Sequence, residues 1–208
     1  MVRGKSAQRN WLKVHRADPF VQRAARHGYR SRAVYKLMEI DRRERLLRPG
    51  LCVVELGAAP GGWSQYAVER LGPTGTIVAV DLLDMPAIAG VTTIRGDFCD
   101  PAVQDSVLVH LANRPADLVL SDMAPNITGI RSADEARAEQ LYCAALEFAG
   151  RVLKPGGDMF VKLFAGSGVE VVRGRFNERF ARCAVRKPQA SRSRSREFYL
   201  LARGYRSG

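Results

Sequence analysis

The stretch Cys52-Val53-Val54-Glu55-Leu56-Gly57-Ala58-Ala59-Pro60-Gly61-Gly62-Trp63 constrains the chain more than any other. Cys52 to Leu56 is apolar apart from Glu55 and too short for a helix, the pattern of a parallel strand covered on both faces. Gly57 lets the backbone leave that strand sharply. Gly61 and Gly62 let it approach a ligand with no β-carbon in the way. Such a turn, at the carboxyl end of a strand and opening into a helix, is where open α/β sheets bind nucleotides. The dinucleotide fingerprint needs glycine at position 59, which is alanine, and the phosphate loop needs lysine where Trp63 stands. A pyrophosphate is therefore disfavoured. S-adenosylmethionine remains, with a nucleoside end but a sulfonium cation at its centre. A purely structural tight turn is the alternative these residues leave open.

The rest of the chain alternates strand-length and helix-length segments. A polar, basic arm over residues 1–30 has Trp11, Phe20 and Tyr29 interleaved. Ser31 is placed to cap a helix over 32–47, stopped by Pro49-Gly50. Strands are expected over 51–56, 76–80, 91–94, 117–120, 159–164, 181–186 and 197–202. Helices are expected over 62–71, 101–112, 132–153 and 168–179. This alternation gives a parallel sheet with helices on both faces. Only a basic loop, 188–196, separates the last two strands, so the final strand should run antiparallel to its neighbour. The organisation is an arm, 1–30, and one domain, 31–208.

Length and charge exclude several classes. The 208 residues suffice for one α/β core. No apolar run approaches the ~20 residues of a membrane span, and no secretory signal is evident. Cys52, Cys99, Cys143 and Cys183 form no C-x-x-C pair, and the three histidines are scattered, so neither a metal site nor a disulfide framework is expected. A reducing cytoplasm is the plain inference. The net charge of +12 is uneven. Residues 1–36 hold ten Lys/Arg against Asp18, and residues 182–206 hold eight against Glu197, which leaves −4 for the remainder. Two basic ends around a mildly acidic body read as an electrostatic footprint for nucleic acid.

Five expected strands end at a charged residue: Glu55, Asp81, Asp97, Asp122 and Lys162. On one sheet edge, over a glycine turn, they would form a cleft with chemistry in it. Asp81, 24 residues after Gly57, is placed to accept from ribose hydroxyls, and Asp97 from an adenine amino group. Lys162 lies in the apolar run Met159-Phe160-Val161-Lys162-Leu163-Phe164. Desolvation and a nearby second cation both favour a neutral amine, the form a general base needs. A snorkelling lysine is the bland alternative.

Together, 53–66, Ser121-Asp122-Met123-Ala124-Pro125-Asn126, Val161-Lys162-Leu163-Phe164, Ser193-Arg194-Ser195-Arg196-Glu197 and Ser31-Arg32-Ala33-Val34-Tyr35-Lys36-Leu37 resemble the FtsJ/RrmJ (RlmE) family of ribosomal RNA ribose 2′-O-methyltransferases. The resemblance spans nearly the whole chain. It implies a Rossmann-like S-adenosylmethionine-dependent methyltransferase fold, a seven-stranded, mostly parallel sheet. It also implies a catalytic tetrad of Lys36, Asp122, Lys162 and Glu197, with Gly61, Trp63, Asp81, Asp97 and Asp122 as cofactor contacts. Glu55 departs from the aspartate common in relatives. The implied reaction methylates a ribose 2′-hydroxyl, expected to be a uridine's, in large-subunit ribosomal RNA, by a cytoplasmic monomer that needs no metal. Lys162 would take the hydroxyl proton while Lys36 stabilises the alkoxide and the two acids orient them. The alternatives are a transfer RNA or mRNA cap 2′-O-methyltransferase and a non-catalytic RNA-binding assembly factor. An NAD dehydrogenase is disfavoured by Ala59.

Overall fold

The computed structural model describes residues 17–125, 128–166, 168–192 and 195–207. Most of the basic arm, with Trp11, lies outside them, as do Asn126, Ser193 and Arg194. In chain order the elements are α1 (Pro19–Arg26), α2 (Val34–Glu44), β1 (Cys52–Leu56), α3 (Gly62–Leu71), β2 (Thr76–Asp81), β3 (Val91–Arg95), α4 (Pro101–Leu111), β4 (Ala116–Ser121), α5 (Arg131–Val152), β5 (Leu153–Phe164), α6 (Val169–Arg179), β6 (Phe180–Arg186) and β7 (Glu197–Tyr205).

The strands form one seven-stranded sheet in the order β3-β2-β1-β4-β5-β7-β6. All five residues of β1 are buried, as its apolar sequence requires of a central strand. Strand alternation sends Val53 to one face and Val54 and Leu56 to the other. On the first face α2 and α3 bury Leu37, Ile40, Trp63 and Leu71 against Val53, Leu118, Phe160 and Tyr199. On the second, α4, α5 and α6 bury Val107, Leu146, Phe148 and Phe176 against Val54, Val119, Val161 and Leu200. Each such side chain contributes roughly 1.5–3 kcal/mol on leaving water, so the paired faces hold the three layers together.

The sheet is parallel from β3 to β5, and β7 runs antiparallel to both β5 and β6. Lys162 pairs with Tyr199 and Phe164 with Glu197. Thus β7 begins at the rim where β5 ends.

Some boundaries differ from the sequence expectation. Helix α2 ends at Glu44, with Arg45 in the left-handed region at φ 53, before Pro49-Gly50 can act. The Asp41 carboxylate draws the chain inward there, accepting from Leu47 N–H at 2.7 Å and from the Tyr66 hydroxyl at 2.7 Å. Ser31 turns the chain into this helix rather than capping it, its hydroxyl accepting from Ala33 N–H at 3.1 Å. Strand β5 starts at Leu153, which pairs with Ala116. The ladder resumes at Leu118 with Asp158, so 154–157 bulge between them. Strand β7 continues to Tyr205.

Candidate active site

The loops after β1 and β4 meet at the point where strand order reverses. Gly57 has φ +78, and a β-carbon there would come within 2.8 Å of Met123 N, while Asp122 N–H donates to Leu56 O at 3.0 Å. Only glycine permits that approach. Beside it is a cavity of about 220 Å³ lined by Gly57, Asp81, Leu82, Asp97, Phe98, Asp122 and Met123 among others. Three carboxylates therefore share one small space. The two Asp81 oxygens accept from Ala59 N–H and Leu83 N–H, both at 2.8 Å, which fixes the carboxylate and leaves lone pairs for a ligand. Asp97 accepts from Cys99 N–H at 2.9 Å.

Four expectations about strand ends need correction, the slightest being Asp122, one residue beyond the end of β4. Asp97 stands two residues beyond the end of β3, in the turn that follows. Glu55 is the penultimate residue of β1 and only 1% exposed, on the α3 side, where the Ser64 hydroxyl donates to it at 2.5 Å. Burial above all pushes its carboxyl up to about 8. The charges of Asp122 and Asp81 add to this, and the Ser64 bond opposes it. It lies beneath the cleft instead of in it. Lys162 is followed by two further residues of β5.

Gly61 and Trp63 stand behind the cavity and are not among its lining residues. Gly61, at φ +101, closes the turn after the cis Ala59–Pro60 peptide, and the space a β-carbon would need there is filled by Met85 and Ile88. Gly62 is crowded by Ser31 in the same way. These two glycines make room for protein atoms. The Trp63 indole N–H donates to Ala33 O at 2.7 Å, and its ring packs on Phe160 and Tyr199.

Lys36, Asp122, Lys162 and Glu197 are brought together as two ion pairs. Lys36 Nζ lies 2.7 Å from Glu197 Oε1, and Lys162 Nζ lies 3.2 Å from Asp122 Oδ1 while also donating to the Asp122 carbonyl. Both lysines are 8% exposed, so each ammonium is held by its partner more than by water. Burial would raise the Glu197 carboxyl. Lys36, by hydrogen bond and charge, and Lys162, by charge, bring it below its usual value. The Ser191 hydroxyl is close enough to help, although its geometry falls short of a hydrogen bond.

The joint between the pairs is a residue the sequence reading missed. Tyr199 donates its hydroxyl to Asp122 Oδ1 at 2.7 Å, and Lys36 Nζ sits 5.6 Å from the centre of its ring. The ring stacks on Phe160 at 4.8 Å and 13°. Burial, then the Asp122 charge, hold the phenol well above its ordinary pKa, so it remains a donor. The signal was the two-residue strand period, which puts Tyr199 on the same face as Glu197.

A second link joins the arm to the basic loop. Asp18 pairs with Arg32, and Arg192 Nε lies 3.8 Å from the same carboxylate. Arg32 also donates to Ala190 O. Among the described residues no His/Cys/Asp/Glu group could hold a metal ion, and no helix is long and apolar enough to cross a membrane.

Such an arrangement can bind a cationic, hydroxyl-bearing ligand in the acidic cavity and polarise an oxygen beside the lysines. Comparison with known proteins gives the family. The model of the FtsJ-like methyltransferase family matches residues 29–205. The chain is 52% identical over 206 residues to the ribosomal RNA large subunit methyltransferase E of Pseudomonas aeruginosa, covering 99% of each. It is 51% identical over 201 residues to the protein of that name from Alkalilimnicola ehrlichii, covering 97% of this chain and 96% of the relative. A crystal structure described as a ribosomal RNA methyltransferase of Plasmodium falciparum superposes with TM-score 0.77 at 27% identity, over 85% of this chain and 98% of that one.

Proposed function

The chain belongs to the FtsJ-like methyltransferase family, and on that footing we propose that it methylates a ribose 2′-hydroxyl, of a uridine, in large-subunit ribosomal RNA, with S-adenosylmethionine as donor. One observation carries this reading: two lysine–carboxylate pairs joined through Tyr199, at the rim of an acidic cavity. The cavity suits the donor. Asp81, Asp97 and Asp122 would repel a pyrophosphate, but they match a sulfonium ligand carrying ribose hydroxyls and an adenine amino group. Asp81 and Asp97 would hold the nucleoside and Asp122 the side nearest the lysines. Gly61 and Trp63 would support the turn from behind. When bound, the donor supplies an electrophilic methyl group, which needs no metal.

The chain's own residues then deal with the acceptor hydroxyl. Lys162, placed by the Asp122 carboxylate and carbonyl, is the group positioned to receive its proton. The charge of Lys36, aimed by Glu197, stabilises the oxygen as negative charge develops. Tyr199 keeps the two pairs at fixed separation, so much of the rate comes from positioning. One chain supplies all these groups, so a monomer suffices, and four free cysteines suit the cytoplasm. The arm and the 188–196 loop, joined through Asp18, would hold RNA phosphates.

The test is transfer of labelled methyl to large-subunit ribosomal RNA, transfer RNA and capped RNA in parallel, followed by mapping of the label. The expected result is a single ribose in large-subunit RNA, lost in Lys162→Ala, with donor binding kept. Label confined to another RNA, label on a base, or full activity in Lys162→Ala would overturn it.

A further inference from the structure

Beyond the donor cavity and the lysine pairs, a second cavity of about 250 Å³ opens between β5, α5 and α6. Its walls are mainly apolar: Ala138, Tyr142, Phe164, Val169 and Val172. It is contiguous with the catalytic rim. Phe164 forms one wall, and Lys162 Nζ lies 5.9 Å from the centre of that ring. Arg196, the residue before Glu197, and Pro125, three residues after Asp122, form its edge. Neither the donor nor the proton transfer uses it.

The polar groups inside are few and unequal. Asp134 is consumed by the chain, accepting from Thr128 N–H at 2.7 Å, the Thr128 hydroxyl at 2.6 Å and Gly129 N–H at 3.0 Å. Glu135 is paired with Arg131 at 2.9 Å. Glu139 has no hydrogen-bond or ion-pair partner among the described residues, and Gly168 leaves it room, since a β-carbon there would sit 3.1 Å from Glu139 Oε2. The Tyr142 hydroxyl is an unused donor. It accepts from Phe164 N–H at 3.1 Å but gives its own proton to no group among the described residues, although the residue is only 4% exposed. Burial pushes that phenol up to about 12, against the Phe164 bond, so the proton stays on at neutral pH. Arg196 is a further donor at the mouth, with no ion-pair partner among the described residues.

A mainly apolar cavity with two donors and one acceptor can complement an imide edge, carbonyl, N–H, carbonyl. RNA-modifying sites read unstacked bases in this way, by apolar or aromatic walls and hydrogen bonds to the base edge. We propose that this cavity receives the nucleobase of the acceptor nucleotide, a uracil, with Tyr142 and Arg196 donating to its carbonyls and Glu139 accepting from its N–H. This rests on the ribose-methylation reading above. It adds that the enzyme selects its target by extracting one base and seating it beside Phe164, which brings the attached 2′-hydroxyl to Lys162.

Single-turnover methylation of three RNAs tests it: the parent, one with 3-methyluridine at the target, and one abasic there with the 2′-hydroxyl kept. The wild type should lose about 100-fold on both altered RNAs, because a site built for a hydrogen-bonded edge rejects one it cannot pair. Ala138→Phe, which fills the slot, should bring the parent RNA down to the abasic rate with donor affinity unchanged. Glu139→Ala should erase the discrimination between uridine and 3-methyluridine, and it serves if Ala138→Phe does not fold. A wild type inactive on the parent RNA would overturn the methylation reading itself. A wild type active on all three alike, or a Glu139→Ala enzyme with discrimination intact, would overturn the base pocket alone.

Discussion

Exchanging Glu55 for glutamine tests whether the carboxyl under the acidic cavity is neutral. The side chain is 1% exposed and accepts from Ser64 at 2.5 Å. Burial chiefly, with Asp122 and Asp81, raises its pKa from 4.5 to about 8. Between those values the folded chain keeps a proton that the unfolded chain has lost. The contribution is therefore fully present below pH 4.5 and disappears as pH rises through 8. Each pH unit is worth ~1.4 kcal/mol, and pH 7 lies two and a half units above 4.5, so the wild type should trail Glu55→Gln by about 3.4 kcal/mol there relative to their gap in acid. Urea unfolding of both proteins at intervals from pH 5 to 9 measures the gap, which should widen steadily and level off above pH 8. Two stability curves that run parallel would show that Glu55 titrates alike in both states, and the neutral-carboxyl reasoning would fail. The same charge should appear in ligand binding: donor affinity in the wild type should strengthen above pH 8, and Glu55→Gln should not show that rise.

Tyr199→Phe should lower kcat about tenfold with little change in the donor Kd, because it removes the hydroxyl bond that fixes Asp122 and keeps the ring beside Lys36; an unchanged kcat would reduce Tyr199 to a packing residue. Gly57→Ala should cost at least about 2 kcal/mol, or roughly 4–8 °C in Tm by calorimetry, since a β-carbon at φ +78 meets Met123 N at 2.8 Å. Raising salt from about 50 to 200 mM should weaken RNA binding by orders of magnitude in a filter-binding assay while donor binding changes little; equal sensitivity of the two would contradict phosphate contacts by the basic ends.

How much of this was legible depended on the range of the forces involved. Lys162 and the carboxylates stood out because each breaks an apolar run, and a buried charge needs a partner wherever it falls. The antiparallel turn of β7 followed from a loop too short for a helical crossover. By contrast, the end of α2 is decided by Asp41 reaching Leu47 and, across to α3, Tyr66, a contact no local pattern encodes. Tyr199 was hidden because a tyrosine in a strand reads as core; the strand period places it on the Glu197 face, and the pairing register with Lys162 discloses its second duty. Gly61 and Gly62 were expected to admit a ligand, but the atoms that crowd them belong to Met85, Ile88 and Ser31. Glu55 looked like a strand-end charge because burial depth is invisible in one dimension.

The Lys36–Glu197 pair spans most of the chain's order of synthesis. The residues that line the acidic cavity all precede β5 in the chain, from Gly57 to Leu141 in the middle of α5, whereas Glu197 reaches Lys36 from β7, which lies between β5 and β6. The groups around Lys162 and the cavity therefore come from β1 to β5, whereas the partner that fixes Lys36 comes from the last strand in the chain. Unpairing that one strand would free the Lys36 ammonium, while the Lys162–Asp122 contact draws on no residue of it.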